Sequence, residues 1–448
     1  MNEWIDSLYK KKIFFVTPDV KRGLGLEDIL PNFHIICSFW DPLIPYLRNK
    51  GASILCLAEM TDDSKKQFTN SGQLLECPIV TDYIKKYSTI QPNILYFKPS
   101  AKLDFLVRKL GYNNLSNSTA LNDIYENKIS FYQLINILEP DHVIPSQIGI
   151  LKSFEFNSLQ HSLGLSFVVQ FGKGWAGKTT YFINNLKDFI ALQNKFPSTR
   201  VRISKKIVGF TVLNNVCIYR ENVLISPPAV QISNIPILSD REGMTCGRQW
   251  PVSYLTADQI ETIRVITSKL GSYMSKKGYK GYFGIDFIIE STSGKVYLSE
   301  LNARFTASCP FYTRLERDAG LTPLFIYHIS DFLKIEISSS YNQLNKSIVG
   351  SQLIIRNPVN VKSLSGIKDV GVYKLNMNHF EMISSFTYPE TLHDDEYLIL
   401  KRQRAVYADS DEVVRMETKG IVLKNVDVLK DEVFNFVKDF KTGSKRKS

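Results

Sequence analysis

Two neighbouring runs in the second half of the chain carry side chains that could bind a metal ion and steady a moving phosphoryl group. The first is Gly284-Ile285-Asp286-Phe287-Ile288-Ile289. The second is Lys295-Val296-Tyr297-Leu298-Ser299-Glu300-Leu301-Asn302-Ala303-Arg304, with Ser291-Thr292-Ser293-Gly294 between them. Both read as strands, and the residues between them as a turn. A three-residue loop, Thr292-Ser293-Gly294, would put Gly294 in the left-handed conformation and pair residue 291 with 295. Asp286 then lies opposite Glu300, which is the expected register. A four-residue loop would send the two carboxylates to opposite faces, because a shift of one residue flips every side chain.

In that register Asp286, Glu300 and Asn302 share a face, since side chains repeat every second residue along a strand. Two carboxylates that close repel unless a cation joins them. An all-oxygen set with one or two carboxylates suits Mg²⁺, with nucleotide phosphates supplying further ligands; Mn²⁺ fits the same donors. Arg304 continues the face if the strand continues, where it could neutralise charge building on a transferring phosphoryl group. The alternative is an exposed hairpin with solvated charges. Asp286 argues against it, because it interrupts an otherwise apolar strand and a carboxylate rarely sits there without a partner.

A second candidate is Gly172-Lys173-Gly174-Trp175-Ala176-Gly177-Lys178-Thr179, which satisfies G-x-x-x-x-G-K-[ST]. As a Walker A loop it must open a helix at Gly177-Lys178-Thr179, so that amides and dipole face the phosphates. The next residues, Thr180-Tyr181-Phe182-Ile183, are β-branched or aromatic and favour a strand. The helix is expected later, at Leu186–Asn194. The loop is therefore read as a flap joining two antiparallel strands, with backbone amides that close over phosphates. A Walker A loop and a plain surface loop stay open beside it.

The elements that must position these residues follow from patterning. Lys12–Val16, Ile54–Ala58 and Ile94–Phe97 read as strands, with helices at Leu43–Lys50 and Leu103–Leu110. This βαβ rhythm predicts a parallel α/β domain over residues 1–118. Residues 119–330 form a second unit, with a helix at Lys128–Leu138, the flap at about 150–212 and a long helix at Ala257–Gly278. Within it, Ile207–Ile218 and Val223–Ile225 read as a hairpin with Glu221-Asn222 at the turn. Residues 331–448 form a C-terminal α+β region with strands near Ser351–Ile355, Gly371–Leu375 and Tyr397–Leu400 and a helix at Val428–Phe440. No internal repeat is visible.

The order of helix with an early Lys, Gly-rich flap, hinge, acidic hairpin and E-x-N-x-R resembles the ATP-grasp superfamily over roughly residues 119–330. The N-terminal unit looks like its pre-ATP-grasp domain. The resemblance implies that Asp286, Glu300 and Asn302 hold Mg²⁺ on ATP and that Lys128, in Glu126-Asn127-Lys128-Ile129, binds the nucleotide. It implies nucleotide contacts from Gly172, Gly174, Gly177, Lys178 and Thr179. The family's second lysine falls at Gln170, a departure that removes a charge for which Lys178 could compensate. The adenine hinge falls at Ser204-Lys205-Lys206-Ile207. Arg304 matches an arginine that steadies acyl-phosphate formation; the arginine of the dipeptide-ligase branch is replaced by Gly284. Cys246-Gly247-Arg248-Gln249-Trp250 resembles a C-G-x-x-W stretch of peptide-extending members, or is a turn with a packed Trp. The activity implied is amide formation between a small carboxylate and an amine such as an amino acid or short peptide. A biotin-carboxylase-like enzyme or a nucleotide-binding regulator is the alternative, and a homodimer is compatible.

Composition narrows the rest. The 448 residues are 44% hydrophobic, enough for several cores, and carry a net charge of +11. No basic stripe interleaved with aromatics appears, so a nucleic-acid partner is not expected. Six scattered cysteines without a C-x-x-C pair argue against a zinc site and fit reduced thiols in a cytoplasm. No signal peptide or membrane span is expected.

Overall fold

The computed structural model describes residues 3–60, 68–88, 90–174, 179–338, 341, 347–358, 370–376, 379–401 and 407–442. Near the N-terminus, Ile13–Val16, Phe33–Cys37, Ser53–Cys56, Asn93–Tyr96 and Asn113–Asn114 form one parallel sheet. The strand from Ile13 is central, between Phe33–Cys37 and Asn93–Tyr96. Helices Leu43–Asn49, Pro78–Tyr87 and Ala101–Lys109 complete the crossovers. The strands are buried on both faces, as parallel strands are. Phe15 and Phe33 meet Phe325 edge to face, so this sheet packs against helix Leu324–Phe332.

A small antiparallel sheet follows, ordered Ser146–Ile150, Arg200–Lys205, Phe167–Phe171, Thr180–Ile183. Val169, Phe167, Val201 and Ile203 bury against helices Phe156–Leu163 and Leu186–Lys195 through Leu159, Phe189 and Leu192. Alternation then turns Val168, Gln170, Arg202 and Ser204 to the sheet's other face.

The third sheet is large and antiparallel. Its path runs from Val296–Asn302 through Gly281–Glu290, Gly209–Tyr219, Ala229–Gln231, Gly247–Trp250 and Gly350–Arg356 to Glu412–Thr418, Glu396–Lys401, Gly371–Asn376 and His379–Ser385. The strands beyond residue 331 thus continue the sheet that carries the acidic hairpin. Helix Ala257–Lys276 covers one face, opened by a capping box between Thr256 and Gln259.

Two local expectations need correction. The hairpin after Tyr219 turns at Arg220-Glu221, both with positive φ (47° and 69°), and Tyr219 pairs Asn222. Asn222 is therefore in the strand, and the turn is the two-residue kind whose twist suits flanking strands. Val428–Leu429 is a short strand against Leu423–Asn425, and the last helix starts at Asp431. Acidic Asp431 and Glu432 in its first turn suit the positive end of the helix dipole.

Candidate active site

The acidic hairpin closes with a four-residue connection, not the three-residue loop expected. Ile289 pairs Val296, and the Gly294 amide donates to Glu290 O at 2.8 Å. Continued unchanged, this register would oppose Asp286 to Ser299. A β-bulge at Ser299 intervenes: Phe287 pairs Leu298, while Asp286 pairs Glu300. One extra residue in the second strand restores the face that the longer loop would have lost. Gly294 does adopt the left-handed conformation, φ 70°.

Asn302 sits one rung on, opposite Gly284. Its Nδ2 donates to Asp286 Oδ2 at 3.3 Å, and its Oδ1 accepts from Arg304 at 2.7 Å. Position 284 has no room for a side chain: a Cβ there would lie 2.4 Å from Thr306 Cγ2. Arg304 is fixed from three sides. Glu126 Oε1 lies 2.9 Å from its Nε, Phe305 O accepts at 3.1 Å, and the Phe97 ring lies under the guanidinium at 5.4 Å. Phe97 and Lys98, which pairs with Glu126 at 3.3 Å, come from the N-terminal sheet's loop.

Lys128 opens helix Lys128–Leu138, behind the Asn127 cap. Its Nζ donates to Glu300 Oε1 at 2.7 Å, and its amide donates to Gly172 O at 2.9 Å. The same residue therefore ties the carboxylate pair to the entry of the Gly-rich loop. Burial pushes the Asp286 carboxyl up to about 6, with Arg248 opposing and Glu300 adding to the rise. Burial also pushes Glu300 up, but the charge and hydrogen bond of Lys128, with Arg304, outweigh it and leave it below the usual range.

The loop joins Phe167–Phe171 to Thr180–Ile183, antiparallel neighbours, and no helix starts at its end. This excludes the Walker A reading. Gly172 lies against Asn127, 3.0 Å from where a Cβ would stand, and a Cβ on Gly174 would be 1.5 Å from Thr179 Oγ1. Gly177 and Lys178, with Trp175 and Ala176, lie outside the described residues.

Gln170 is half-buried on the face turned from the flap helices. The expected hinge residues are more scattered. Lys205 ends its strand with Nζ 3.5 Å from Glu290, Lys206 pairs with Glu242 at 2.8 Å, and Ile207 is half-buried beyond the strand. Neither ammonium is directed at Asp286 or Glu300. Cys246 and Trp250 are fully buried. The thiol donates to Met244 O at 3.5 Å, and the indole packs on Phe311 and Tyr312. Here the C-G-x-x-W stretch is core.

Sequence reasoning missed Glu126, Arg248 and Arg202. Arg248 is buried, donates to Ser308 Oγ, and its Nε has no hydrogen-bond partner among the described residues. A charged residue alternating with apolar ones, as in Arg200-Val201-Arg202-Ile203, was the available signal for Arg202.

By sequence the chain matches no family model and no curated protein. By structure it resembles the biotin carboxylase–beta-gamma-ATP complex of Campylobacter jejuni, with a TM-score of 0.62 at 14% identity over 93% of this chain and 89% of that one. The biotin carboxylase domain of Hydrogenobacter thermophilus 2-oxoglutarate carboxylase, holding MgADP, ADP and bicarbonate, gives 0.61 at 12% identity, covering 91% and 86%. N5-carboxyaminoimidazole synthetase of Staphylococcus aureus with ADP gives 0.57 at 14%, covering 97% of each chain.

Proposed function

The chain has the ATP-grasp fold with a pre-ATP-grasp domain, and on that fold we propose that it is an ATP-dependent carboxylate–amine ligase working through an acyl phosphate. The observation that carries the reading is Asp286 directly opposite Glu300, with Asn302 and Arg304 beside them, at the mouth of the Gly-rich loop.

The donors fit Mg²⁺. They are two carboxylates and an amide, and one carboxyl is pushed up to about 6 by burial, with the second adding to the rise. Among the described residues no group of three or more His, Cys, Asp or Glu side chains could hold an ion unaided. Such a sparse set suits an ion that arrives with nucleotide phosphates. Asp286, Glu300 and Asn302 would hold it, and when bound it supplies positive charge to the phosphate oxygens.

The chain's own groups do the rest. The described ends of the Gly-rich segment, Gly172-Lys173-Gly174 and Thr179, would lie over the phosphates and help exclude water that would hydrolyse an acyl phosphate. Lys128 reaches the nucleotide from the helix start. Arg304, held by Glu126, steadies charge on the γ-phosphoryl group as a substrate carboxylate attacks and ADP leaves. Arg248, with its unshared Nε, is the second guanidinium available to the acid. The amine then displaces phosphate from the acyl carbon, forming the amide.

A second reading takes bicarbonate as the acid. The bicarbonate held by the Hydrogenobacter relative favours it. Phosphate release from Mg-ATP with a panel of carboxylates and amino acids tests both. Release needing an acid and an amine supports the ligase; release with bicarbonate alone as the acid supports the second reading. No release with any acid rejects both.

A further inference from the structure

Strand Arg200–Lys205 sends Val201 and Ile203 into the flap core and Arg202 to the opposite face. Arg202 nonetheless is only 1% exposed. Its Nε donates to Ser146 Oγ at 3.0 Å and the Tyr132 ring lies 4.9 Å from the guanidinium carbon. Tyr132 stands one helical turn beyond Lys128, on the same helix face. Arg202's register partner is Gln170, whose Oε1 accepts from a terminal nitrogen only at 3.5 Å. The other terminal nitrogen is buried with no hydrogen-bond partner, and no carboxylate among the described residues pairs with the group.

A guanidinium is not left buried without acceptors at no cost; it must be paired or it destabilises the fold. Burial lowers the Arg202 pKa to about 10, against the pull of Tyr132 and Glu300, and the group still carries its charge near neutral pH. The missing partner must therefore come from outside the chain, must accept hydrogen bonds, and must enter between the flap sheet and helix Lys128–Leu138.

We propose that Arg202 is a nucleotide-binding cation of this site, its free terminal nitrogen donating to an acceptor on ATP while Gln170 flanks it. The proposal rests on the ATP-site reading above. A phosphate oxygen and a ring nitrogen of the base are both acceptors of this kind. A guanidinium presents a fixed fork of donors, so one orientation can serve Ser146 and ligand together.

The test is nucleotide binding by calorimetry on the full chain, with ATP, ADP, AMP and adenosine as probes. Arg202→Met should weaken ATP binding about 10- to 100-fold, the range of one hydrogen bond to a charged group. Gln170→Glu supplies an internal counter-ion directly across the strands and should weaken ATP by a similar factor without lowering the melting temperature. Adding Gln170→Lys to Arg202→Met should recover most of the loss. A deficit that grows from adenosine to ATP assigns the contact to phosphate; an equal deficit assigns it to the base. Unchanged affinity for every nucleotide in Gln170→Glu overturns the proposal, even if Arg202→Met fails to fold. A parent protein that binds no nucleotide overturns the ATP site itself.

Discussion

Replacing Asp286 with Asn separates the proposed metal site from the fold. The side chain keeps its shape and loses its charge. At an effective dielectric near 20, two unit charges about 4 Å apart interact by about 4 kcal/mol. A divalent ion that loses one carboxylate forfeits at least that much. With 1.4 kcal/mol per factor of ten, the Mg²⁺-dependent part of ATP affinity, and turnover with it, should fall about 10³-fold. Stability should move the other way or not at all. Burial and Glu300 outweigh the pull of Arg248 on this carboxylate, so a neutral side chain relieves the ligand-free protein. Glu300→Gln should lose as much Mg²⁺ dependence but also melt lower, because it strips the counter-ion from Lys128, whose side chain is 9% exposed. Adding Lys128→Met should restore melting temperature without restoring Mg²⁺ dependence. The assay is ATP calorimetry with and without Mg²⁺, beside thermal unfolding of each ligand-free variant. An Asp286→Asn protein whose ATP affinity still rises with Mg²⁺ as in the parent refutes the reasoning.

Further expectations concern groups around that pair. Glu126→Gln loosens Arg304, so kcat should fall about 10- to 100-fold while nucleotide affinity holds, as a positioning role requires; steady-state kinetics and calorimetry together check the split. Gly174→Ala has no space against Thr179 and should weaken ATP binding about tenfold, with little change in melting temperature because the loop is outside the cores. His328 accepts from the Tyr282 amide and lies 2.8 Å from Leu115 O, and burial lowers its pKa to about 4. Its folded pKa is below the ordinary 6.5, so this stability is complete above pH 6.5 and is lost as pH falls toward 4. That lowering corresponds to about 3 kcal/mol. Urea unfolding from pH 7.5 to 4.5 should show a shallower acid decline in His328→Gln than in the parent.

What the sequence made legible follows from which signals are local. Helix Lys128–Leu138 was readable to its ends because Asn127 caps it and apolar residues repeat with helical spacing. The acidic pair was readable in outcome but not in cause: loop length and bulge each shift the register by one, and the two shifts cancel. A bulge leaves no composition signature at Ser299. Strand Phe33–Cys37 was missed because His34 interrupts its apolar run. Only the fold shows that His34 stacks on Phe14 at 4.8 Å and meets the Tyr83 hydroxyl at 3.0 Å. Arg202 was passed over because one charge in a strand reads as solvent-facing unless the opposing layer is known, and Arg248 because its stretch read as a ligase motif or a turn. Arg202 faces helix Lys128–Leu138, which precedes it by some seventy residues.

Most charged groups of the site are paired with one another, and this constrains what a ligand must exchange. Lys128 holds Glu300, Arg304 holds the Asn302 oxygen, and Glu126 holds Arg304. Two of the three donors that would face a divalent ion are thus engaged by cations of the chain, while Asp286 accepts from the neutral Asn302 amide. Mg-ATP brings both what these carboxylates need and what these cations need. On the proposed reading, binding would exchange internal pairs for external ones: Glu300 and Asp286 would hold the ion, and Lys128, now on Glu300, would be released to phosphate. Such an exchange leaves few charges unpaired at any stage, which matters where burial makes an orphaned charge expensive. Arg202 differs from Lys128 and Arg304, because no carboxylate among the described residues pairs with it. Arg202, like Arg248 with its unshared Nε, would gain a partner without giving one up. Nucleotide free of metal should therefore keep most of its Arg202 contact while losing the contribution of Asp286 and Glu300. In a double-variant cycle without Mg²⁺, Gln170→Glu should weaken ATP binding by the same factor in the parent and in the Asp286→Asn background, and Asp286→Asn alone should not weaken it. Strong coupling under that condition would mean that Arg202 and the acidic pair act as one site.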